Sequence, residues 1–182
     1  MCIKGMMVKM PSYAIHLAVA EEYLRKHDKQ QSENYQEFIE GVIYPDTVKD
    51  KSKTHYGEYS SKSNLYRFLQ ENNMDNSFKR GCFLHLLTDY IFYNQYIEYW
   101  SKDIYHDYSI LNDDLIKKYH VTVPEDVEGF MESYENSQLK ILTVPMIEDF
   151  IDEVSKLDII SIANEVEDNP EKWTRFRPLK EI

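Results

Sequence analysis

The chain has little cysteine, no long hydrophobic run and no cluster of basic residues, and each of these absences excludes a class of protein. Cys2 and Cys82 are the only cysteines among 182 residues, which is too few for a disulfide framework or a cysteine-based metal site. No apolar stretch reaches the roughly 18 residues that a transmembrane helix needs, and residues 1–10 contain no signal-peptide core. We therefore expect a cytoplasmic protein.

Basic residues are outnumbered by acidic ones. The 32 acidic and 21 basic residues give a formal net charge of −11, which repels nucleic-acid backbones and anionic membrane surfaces at long range. No run of lysine or arginine marks a local exception. Nucleic acid is therefore disfavoured as a partner. The 42% hydrophobic and 29% charged residues are typical of a folded chain, so disorder is not expected.

Strand-like alternation is almost absent, and apolar residues instead recur at three- and four-residue intervals. This pattern predicts an all-α fold, a single-domain bundle of about eight helices. The domain is expected over residues 11–182, after an N-terminal extension of residues 1–10. Residues 11–107 contain the candidate site and residues 108–182 form a helical C-terminal half. Only residues 138–144 are ambiguous between a strand and a turn of helix.

One predicted helix dominates the pattern. It runs from Gly81 to Trp100, is capped by Asn76 and Ser77, and is apolar on most of its circumference. His85 and Asp89 interrupt it four residues apart, so their Cβ atoms lie roughly 5–6 Å from each other on one face. Such a pair can bind one cation. The alternative is a buried hydrogen bond without a metal, since a buried carboxylate needs some partner.

Polar residues on two other predicted elements are candidates to join this pair. His16 lies on the first predicted helix, which Ser12 caps. His106 and Asp107 lie in an apparent loop before a helix that is predicted to start near Leu111. A lone histidine is more often a core or surface residue than a ligand, so each role depends on what converges with the central pair.

A predicted loop supplies the remaining candidates. The second helix is predicted to start at Ser32 and, because Pro45 disfavours a helical conformation for Tyr44, to end at or before that residue. Asp46 and His55 would then share the loop that follows. Two imidazoles and two carboxylates would form a site suited to zinc, or to iron or manganese.

Four short segments stand in an informative order: HLAVA at 16–20, GVIYPD at 41–46, KTHY at 53–56 and GCFLHLLTD at 81–89. This order resembles the zinc-dependent phospholipase C family, whose helical fold is related to that of single-strand nucleases. The resemblance covers residues 11–100. In that family a helix histidine, an aspartate after a proline, a loop histidine and a histidine–aspartate pair supply metal ligands in this order. The resemblance therefore implies a ligand set of His16, Asp46, His55, His85 and Asp89.

The chain also departs from the family pattern. Secreted members bind three zinc ions with the help of an N-terminal tryptophan, a histidine soon after the histidine–aspartate pair, and a later His-x-x-x-Glu. Here Gln95 stands six residues after Asp89, and the other two features are missing. The resemblance thus implies a reduced site of one or two ions. Asp46, His55, His85 and Asp89 would hold the first, and His16 a second that Asp89 bridges.

The implied activity is hydrolysis of a phosphoester, such as a lipid head group, a nucleotide or another small phosphodiester. A metal-activated water would attack phosphorus, and Asp46 would act as general base if it were only partly engaged with the metal. Four tyrosines near the central helix are more typical of packing than of a pocket: Tyr56, Tyr90, Tyr93 and Tyr96.

Two alternatives remain open. In the first, the same residues hold a structural metal or form a buried polar network, and the protein has no catalytic role. In the second, the chain is an HD-type phosphohydrolase that uses His85, His106, Asp107 and Asp149. The second alternative excludes His55 from the site.

Overall fold

A computed structural model describes residues 13–27, 33–129, 131 and 137–182. Within these ranges the chain is all-α, as predicted, and the two short strands β1 and β2 pair in parallel. The predicted extension of residues 1–10 and the predicted positions Ser12 and Ser32 lie outside the described residues. The element bounds are α1 Tyr13–His27, α2 Tyr35–Thr47, α3 Ser52–His55, α4 Leu65–Glu71, α5 Ser77–Ile91, β1 Tyr99–Trp100, α6 Asp103–Lys118, α7 Glu125–Glu128, α8 Val144–Ser155, α9 Ile159–Asp168, α10 Pro170–Trp173 and β2 Lys180–Glu181.

Helices α1 and α5 form the centre of the structure. Both are buried on nearly all sides because each is surrounded by other helices: α1 packs against α2, α5, α6 and α8, and α5 against α1, α2, α4 and α9. The N-cap predicted for α5 is confirmed, since the Asn76 side chain accepts a hydrogen bond from the Lys79 N–H. No helix in the described ranges has the length and hydrophobicity to cross a membrane.

Helices α2 and α5 touch through their backbones at two glycines. A Cβ atom added at Gly41 would lie 2.0 Å from the carbonyl oxygen of Phe78, and one added at Gly81 would lie 2.2 Å from that of Phe38. Side-chain carbon atoms do not approach oxygen so closely, so a residue with a Cβ would force the helices apart. The two glycines therefore set the separation of α2 and α5.

The predicted end of α2 is wrong. The helix continues through Pro45 to Thr47, so Asp46 lies in its last turn instead of on a loop. A proline removes one backbone hydrogen bond from a helix, and here the close packing of α2 against α5 compensates for that loss. His55 also lies on a helix, because the predicted loop contains the short α3.

The predicted helix from Gly81 to Trp100 is too long. Helix α5 ends at Ile91 and is followed by a π-helical turn over Phe92–Tyr96 and by β1. Contacts with the C-terminal segment favour this end of the helix. Strand β2 pairs with β1, and the Asn94 side chain accepts a hydrogen bond from the Arg177 N–H at 2.7 Å. Interactions between residues some 80 positions apart are not visible in a local apolar pattern.

The C-terminal aromatic residues pack on the body of the protein. Trp173 is buried, and its ring centroid lies 5.3 Å from that of Tyr90, with Phe176 on the same tyrosine at 6.0 Å. The Tyr90 hydroxyl lies 3.1 Å from each of the Lys172 and Arg175 carbonyl oxygens. The central helix therefore holds the tail through both packing and hydrogen bonds.

The predicted start of α6 is also wrong, because the helix begins at Asp103 and includes His106 and Asp107. Asp107 is fully buried, and its carboxylate accepts hydrogen bonds from the backbone N–H groups of Lys140, Ile141 and Leu142 at 2.9, 2.7 and 2.8 Å. The ambiguous segment 138–144 is thus mostly an irregular link before α8, with its N–H groups bonded to a carboxylate. The Asp107 carboxylate therefore stabilises the fold and is not a candidate ligand on a loop.

Replacing Asp107 with alanine should destabilise the protein by roughly 2 kcal/mol, because three N–H groups lose a charged acceptor and that of Leu142 is buried. Urea unfolding measures the change. Asp103→Ala is the matched control: its side chain is 49% exposed and its ion pair with Lys140 should contribute little. If both variants lose equal stability, the three hydrogen bonds do not anchor the link.

Candidate metal centre

Four helices bring the five sequence-predicted residues together. His16 comes from α1, Asp46 from the last turn of α2, His55 from the end of α3, and His85 and Asp89 from consecutive turns of α5. Each of the five residues is at most 4% exposed. A set of three imidazoles and two carboxylates is unusual in so buried a location, since ionisable groups are rarely buried without partners.

Three atoms form the tightest part of the cluster. His55 Nε2 lies 3.2 Å from His85 Nε2, and Asp89 Oδ2 lies 3.2 Å from the former and 3.5 Å from the latter. Ligands placed 2.0–2.1 Å from a tetrahedral ion are about 3.3–3.4 Å from one another. The triangle of His55, His85 and Asp89 therefore has the dimensions of one face of a tetrahedral zinc site.

Hydrogen bonds outside the triangle fix the direction of both imidazoles. His85 Nδ1 lies 2.7 Å from the carbonyl oxygen of Val42, which can only accept, so this nitrogen carries the proton. His55 Nδ1 lies 3.2 Å from Thr54 Oγ1. Thr54 gives its own proton to the Pro45 carbonyl at 2.8 Å, so Thr54 accepts from His55. In the tautomer that these contacts fix, each ring carries its proton on Nδ1 and directs the lone pair of Nε2 into the triangle, as metal-ligating histidines do.

The lone pairs in the triangle face one another. Two bare imidazole nitrogens at 3.2 Å, next to a carboxylate oxygen, repel each other unless a positive charge lies between them. A proton on one ring would supply that charge, and so would a metal ion. The polar partners outside the triangle thus arrange the centre to receive a cation.

Asp89 provides the negative charge of the triangle. Burial by itself raises the pKa of this carboxyl, but the charge and hydrogen bond of His16, together with hydrogen bonds from His55 and His85 when a proton occupies their Nε2 atoms, outweigh burial and hold the pKa well below its usual range. Ser63 Oγ also lies 3.5 Å from Oδ2. Asp89 is therefore an ionised carboxylate at neutral pH, which is the form that binds metal ions.

Asp46 stands at the edge of the triangle. Its Oδ1 lies 3.6 Å from His55 Nε2, and its Oδ2 lies 3.8 Å from His85 Nε2. The ammonium group of Lys51 is 3.1 Å from Oδ1. The other oxygen, Oδ2, is buried and has no hydrogen-bond partner among the described residues. A buried carboxylate oxygen without a hydrogen-bond partner, beside a nitrogen lone pair, has the chemistry of a cation ligand.

His16 approaches the cluster from the other side of Asp89. Its Nε2 lies 3.3 Å from Asp89 Oδ1, and its ring stacks on that of His85, with centroids 3.8 Å apart and planes 7° from parallel. Rings that bind one ion radiate from it, so a parallel stack this close does not direct both rings at the same ion. The His16 Nδ1 is buried without a hydrogen-bond partner in the described part of the chain.

Ligand atoms within 4.8 Å of one another define two groups among the described residues: His16, Asp46 and His85, and His55, His85 and Asp89. Both groups use His85. Its Nδ1 is already bonded to Val42, so only Nε2 remains, and one lone pair serves one ion. The two groups therefore cannot each hold an ion, and the stacking of His16 on His85 favours the group of His55, His85 and Asp89.

A small cavity adjoins the cluster beside His16 and Asp89. Its volume is about 10 Å³, close to the space that one buried water needs. Tyr93 and Tyr108 also line it, and burial raises the pKa of both phenols well above the ordinary value, so both are neutral. The cluster is thus closed, with room for one small molecule at its side.

Of the four tyrosines considered from the sequence, Tyr93 alone lines this cavity. The hydroxyls of the others have partners elsewhere in the described structure. Tyr56 bonds to Asn72, Tyr96 donates to Glu153, and Tyr90 holds the tail. Packing is therefore the main role of these aromatic residues.

Sequence reasoning missed Lys51, Thr54, Ser63 and Tyr108. Thr54 directly precedes a predicted ligand, which is a usable signal, because residues beside a ligand often orient it. Lys51 had no such signal, since Lys49 and Lys53 flank it in the same polar stretch. Only the turn between α2 and α3 singles out the lysine that reaches Asp46.

The arrangement required by an HD-type enzyme is not assembled. Both oxygens of Asp107 are bonded to backbone N–H groups, and Asp149 is exposed on α8. His55, which that alternative excludes, lies inside the cluster.

No protein-family model, curated protein or solved structure matches the chain. The resemblance to zinc-dependent phospholipases C therefore stays a prediction.

Proposed function

We propose that the protein binds one divalent metal ion, with zinc as the first candidate, at His55, His85 and Asp89. The observation that carries this proposal is the triangle of ligand atoms with edges of 3.2, 3.2 and 3.5 Å, formed by two imidazoles whose other nitrogens donate to protein oxygens. Nitrogen and oxygen donors in this ratio suit zinc, and also iron or manganese. Asp46 lies close enough to take part.

The activity we propose for this centre is hydrolysis of a small phosphoester, as the resemblance to the phospholipase C family implies. A zinc ion held by His55, His85 and Asp89 would supply a Lewis acid and would lower the pKa of a bound water toward 7. Asp46 supplies the second requirement, a proton acceptor: its Oδ2 is buried and unsatisfied, 3.8 Å from His85 Nε2. The two rings and Asp89 hold the centre in place.

The expected substrate is a small phosphorylated molecule in the cytoplasm. A net charge of −11 repels the anionic surface of a bilayer, which disfavours lipid in a membrane as the substrate. Cleavage of a soluble phosphoester does not meet this barrier to the same degree, because one phosphate carries far less charge than a membrane surface.

A second function is favoured by the closure of the centre. All five residues are at most 4% exposed, and structural zinc sites are closed, whereas catalytic ones keep a position for water. In this alternative Asp46 completes a four-ligand site, and the ion stabilises the junction of α2, α3 and α5 without taking part in a reaction.

One experiment distinguishes these functions. Zinc-loaded wild type and Asp46→Asn are assayed against a p-nitrophenyl phosphate monoester and a bis(p-nitrophenyl) phosphate diester, and zinc content is measured in the same samples. Hydrolysis by the wild type that Asp46→Asn loses while retaining zinc supports the hydrolase. Bound zinc without hydrolysis of either compound supports the structural site. Failure to bind zinc, iron or manganese contradicts both.

His16→Gln should weaken zinc binding by about 10–100-fold while leaving one ion per chain, because His16 contacts Asp89 Oδ1 and orients the ligand without being one. Chelator competition gives the affinity, and elemental analysis gives the stoichiometry. A wild-type protein with two ions per chain and a variant with one would instead make His16 a ligand of a second ion.

A further inference from the structure

Lys51 connects the cluster to the protein surface. Its Nζ lies 2.8 Å from the carbonyl oxygen of Asp46, 3.1 Å from Asp46 Oδ1 and 3.5 Å from the carbonyl oxygen of Pro45. The lysine side chain is 18% exposed, and that of Asp46 is fully buried. The ammonium group thus caps the last turn of α2 and pairs with one oxygen of a candidate ligand.

The backbone of the same residue holds the next ligand along the chain. The Lys51 carbonyl accepts hydrogen bonds from the N–H groups of Thr54 at 3.2 Å and His55 at 2.8 Å. Lys51 therefore fixes Asp46 with its side chain and His55 with its main chain. A substitution at Lys51 can remove the first contact and leave the second.

The ammonium group and a metal ion compete for one carboxylate. Asp46 lies farther from the imidazole nitrogens, at 3.6 and 3.8 Å, than Asp89 does, at 3.2 and 3.5 Å. A single positive charge in contact with Oδ1 lowers the affinity of that carboxylate for a dication and also repels the dication directly. An ion at the triangle would leave Asp46 between two cations, and Asp46 lies closer to Lys51, at 3.1 Å, than to either imidazole.

We propose that Lys51 is a positioning residue that restrains Asp46 from becoming a full ligand of the metal. This inference rests on the proposed function. With Asp46 restrained, His55, His85 and Asp89 would hold the ion and a further position would stay open, as in catalytic zinc sites. The unsatisfied Oδ2 of Asp46 then remains available to accept a proton.

The test is the zinc affinity of Lys51→Met, measured by chelator competition. We expect zinc to bind at least about tenfold more tightly than in wild type, because the competing charge is gone and Asp46 can enter the coordination sphere. Hydrolysis of bis(p-nitrophenyl) phosphate should fall at the same time, even when every chain of the variant has zinc bound. Tighter binding with lower activity is not the result of a merely damaged fold.

Three further variants act as controls. Lys51→Arg keeps the charge and should retain the wild-type affinity within a few-fold. Lys51→Gln keeps an amide donor for the carbonyl groups at the end of α2 and should fold even if Lys51→Met does not, with the same gain in zinc affinity. Lys53→Met removes a charge from a side chain that is 73% exposed and pairs only loosely with Asp50, so it should change neither property.

Two results would overturn the inference. Weaker zinc binding in Lys51→Met and Lys51→Gln would mean that Lys51 supports Asp46 as a ligand. Unchanged affinity in both would mean that the lysine does not influence the ion. Either result leaves the proposed metal centre intact, whereas a wild type that binds neither zinc nor iron nor manganese contradicts the proposed function itself.

Discussion

The wild-type protein, purified without added metal, is expected to contain one zinc, iron or manganese ion per chain, and His85→Ala and Asp89→Ala are expected to contain none. His85 Nε2 is a corner of the triangle, and its loss removes one of the two nitrogens that face the carboxylates. Loss of a residue that only orients a ligand reduces affinity by about 10–100-fold, so loss of a ligand should reduce it further. Elemental analysis measures the metal content directly.

His27→Ala is the matched control for these variants. Its Nε2 lies 3.1 Å from the Ser155 carbonyl oxygen, away from the cluster, so this variant should retain the metal. Asp89→Asn complements Asp89→Ala, because it preserves the shape of a buried residue while it removes the charge. A wild type without metal, and without uptake on titration with zinc, iron or manganese, would make His55, His85 and Asp89 a buried proton-linked network.

Gly81→Ala is expected to lose at least about 3 kcal/mol of stability, at the upper end of the range for overpacked cores. Alanine favours a helix over glycine by about 1 kcal/mol, so the steric conflict must exceed that gain. It does, because the new Cβ would lie 2.2 Å from the Phe38 carbonyl oxygen and 2.9 Å from the Val42 nitrogen. Both are backbone atoms, which cannot rotate away. Urea unfolding measures the loss, provided that the dependence of the free energy of unfolding on urea concentration is the same in both proteins.

The same substitution should weaken metal binding. The carbonyl of Val42, next to Gly41, accepts the hydrogen bond from His85, one turn after Gly81. Separation of the helices would lengthen that bond and release the ring. Gly129→Ala is the control, because nothing lies within 4 Å of its added Cβ and its φ of −67° suits alanine. Equal effects of the two substitutions would show that α2 and α5 are not in backbone contact.

The all-α fold was predictable because helical periodicity is a local property of the sequence. The residues of the cluster were also predictable, since His85 and Asp89 are polar positions in an otherwise apolar helix, and the family resemblance indicated the other three. Their convergence was not predictable from spacing alone. It depends on the backbone contact at Gly41 and Gly81, two residues that have no side chain and therefore give no sign of a site in the sequence.

The errors share one cause, which is that tertiary contacts outweighed local preferences. Pro45 favours the end of a helix, yet α2 continues past it against α5. The residues around Asp107 are polar enough for a loop, yet a helix forms and its carboxylate binds the N–H groups of a distant link. Lys51 is one of several lysines in a polar stretch, and only the end of α2 gives it a role.

The contact of the C-terminal segment with α5 has a consequence for synthesis on the ribosome. Asn94 and β1 find their partners in Arg177 and β2, which are made about 80 residues later. At roughly 5–20 residues per second, this delay lasts on the order of 4–16 s. During that time the C-terminal segment does not yet contact the end of the helix that carries His85 and Asp89, and the nascent chain is accessible to chaperones and proteases. Synthesis of the segment that contains Arg177 and β2, and not the folding of the first half of the chain, therefore sets when this end of the helix is covered.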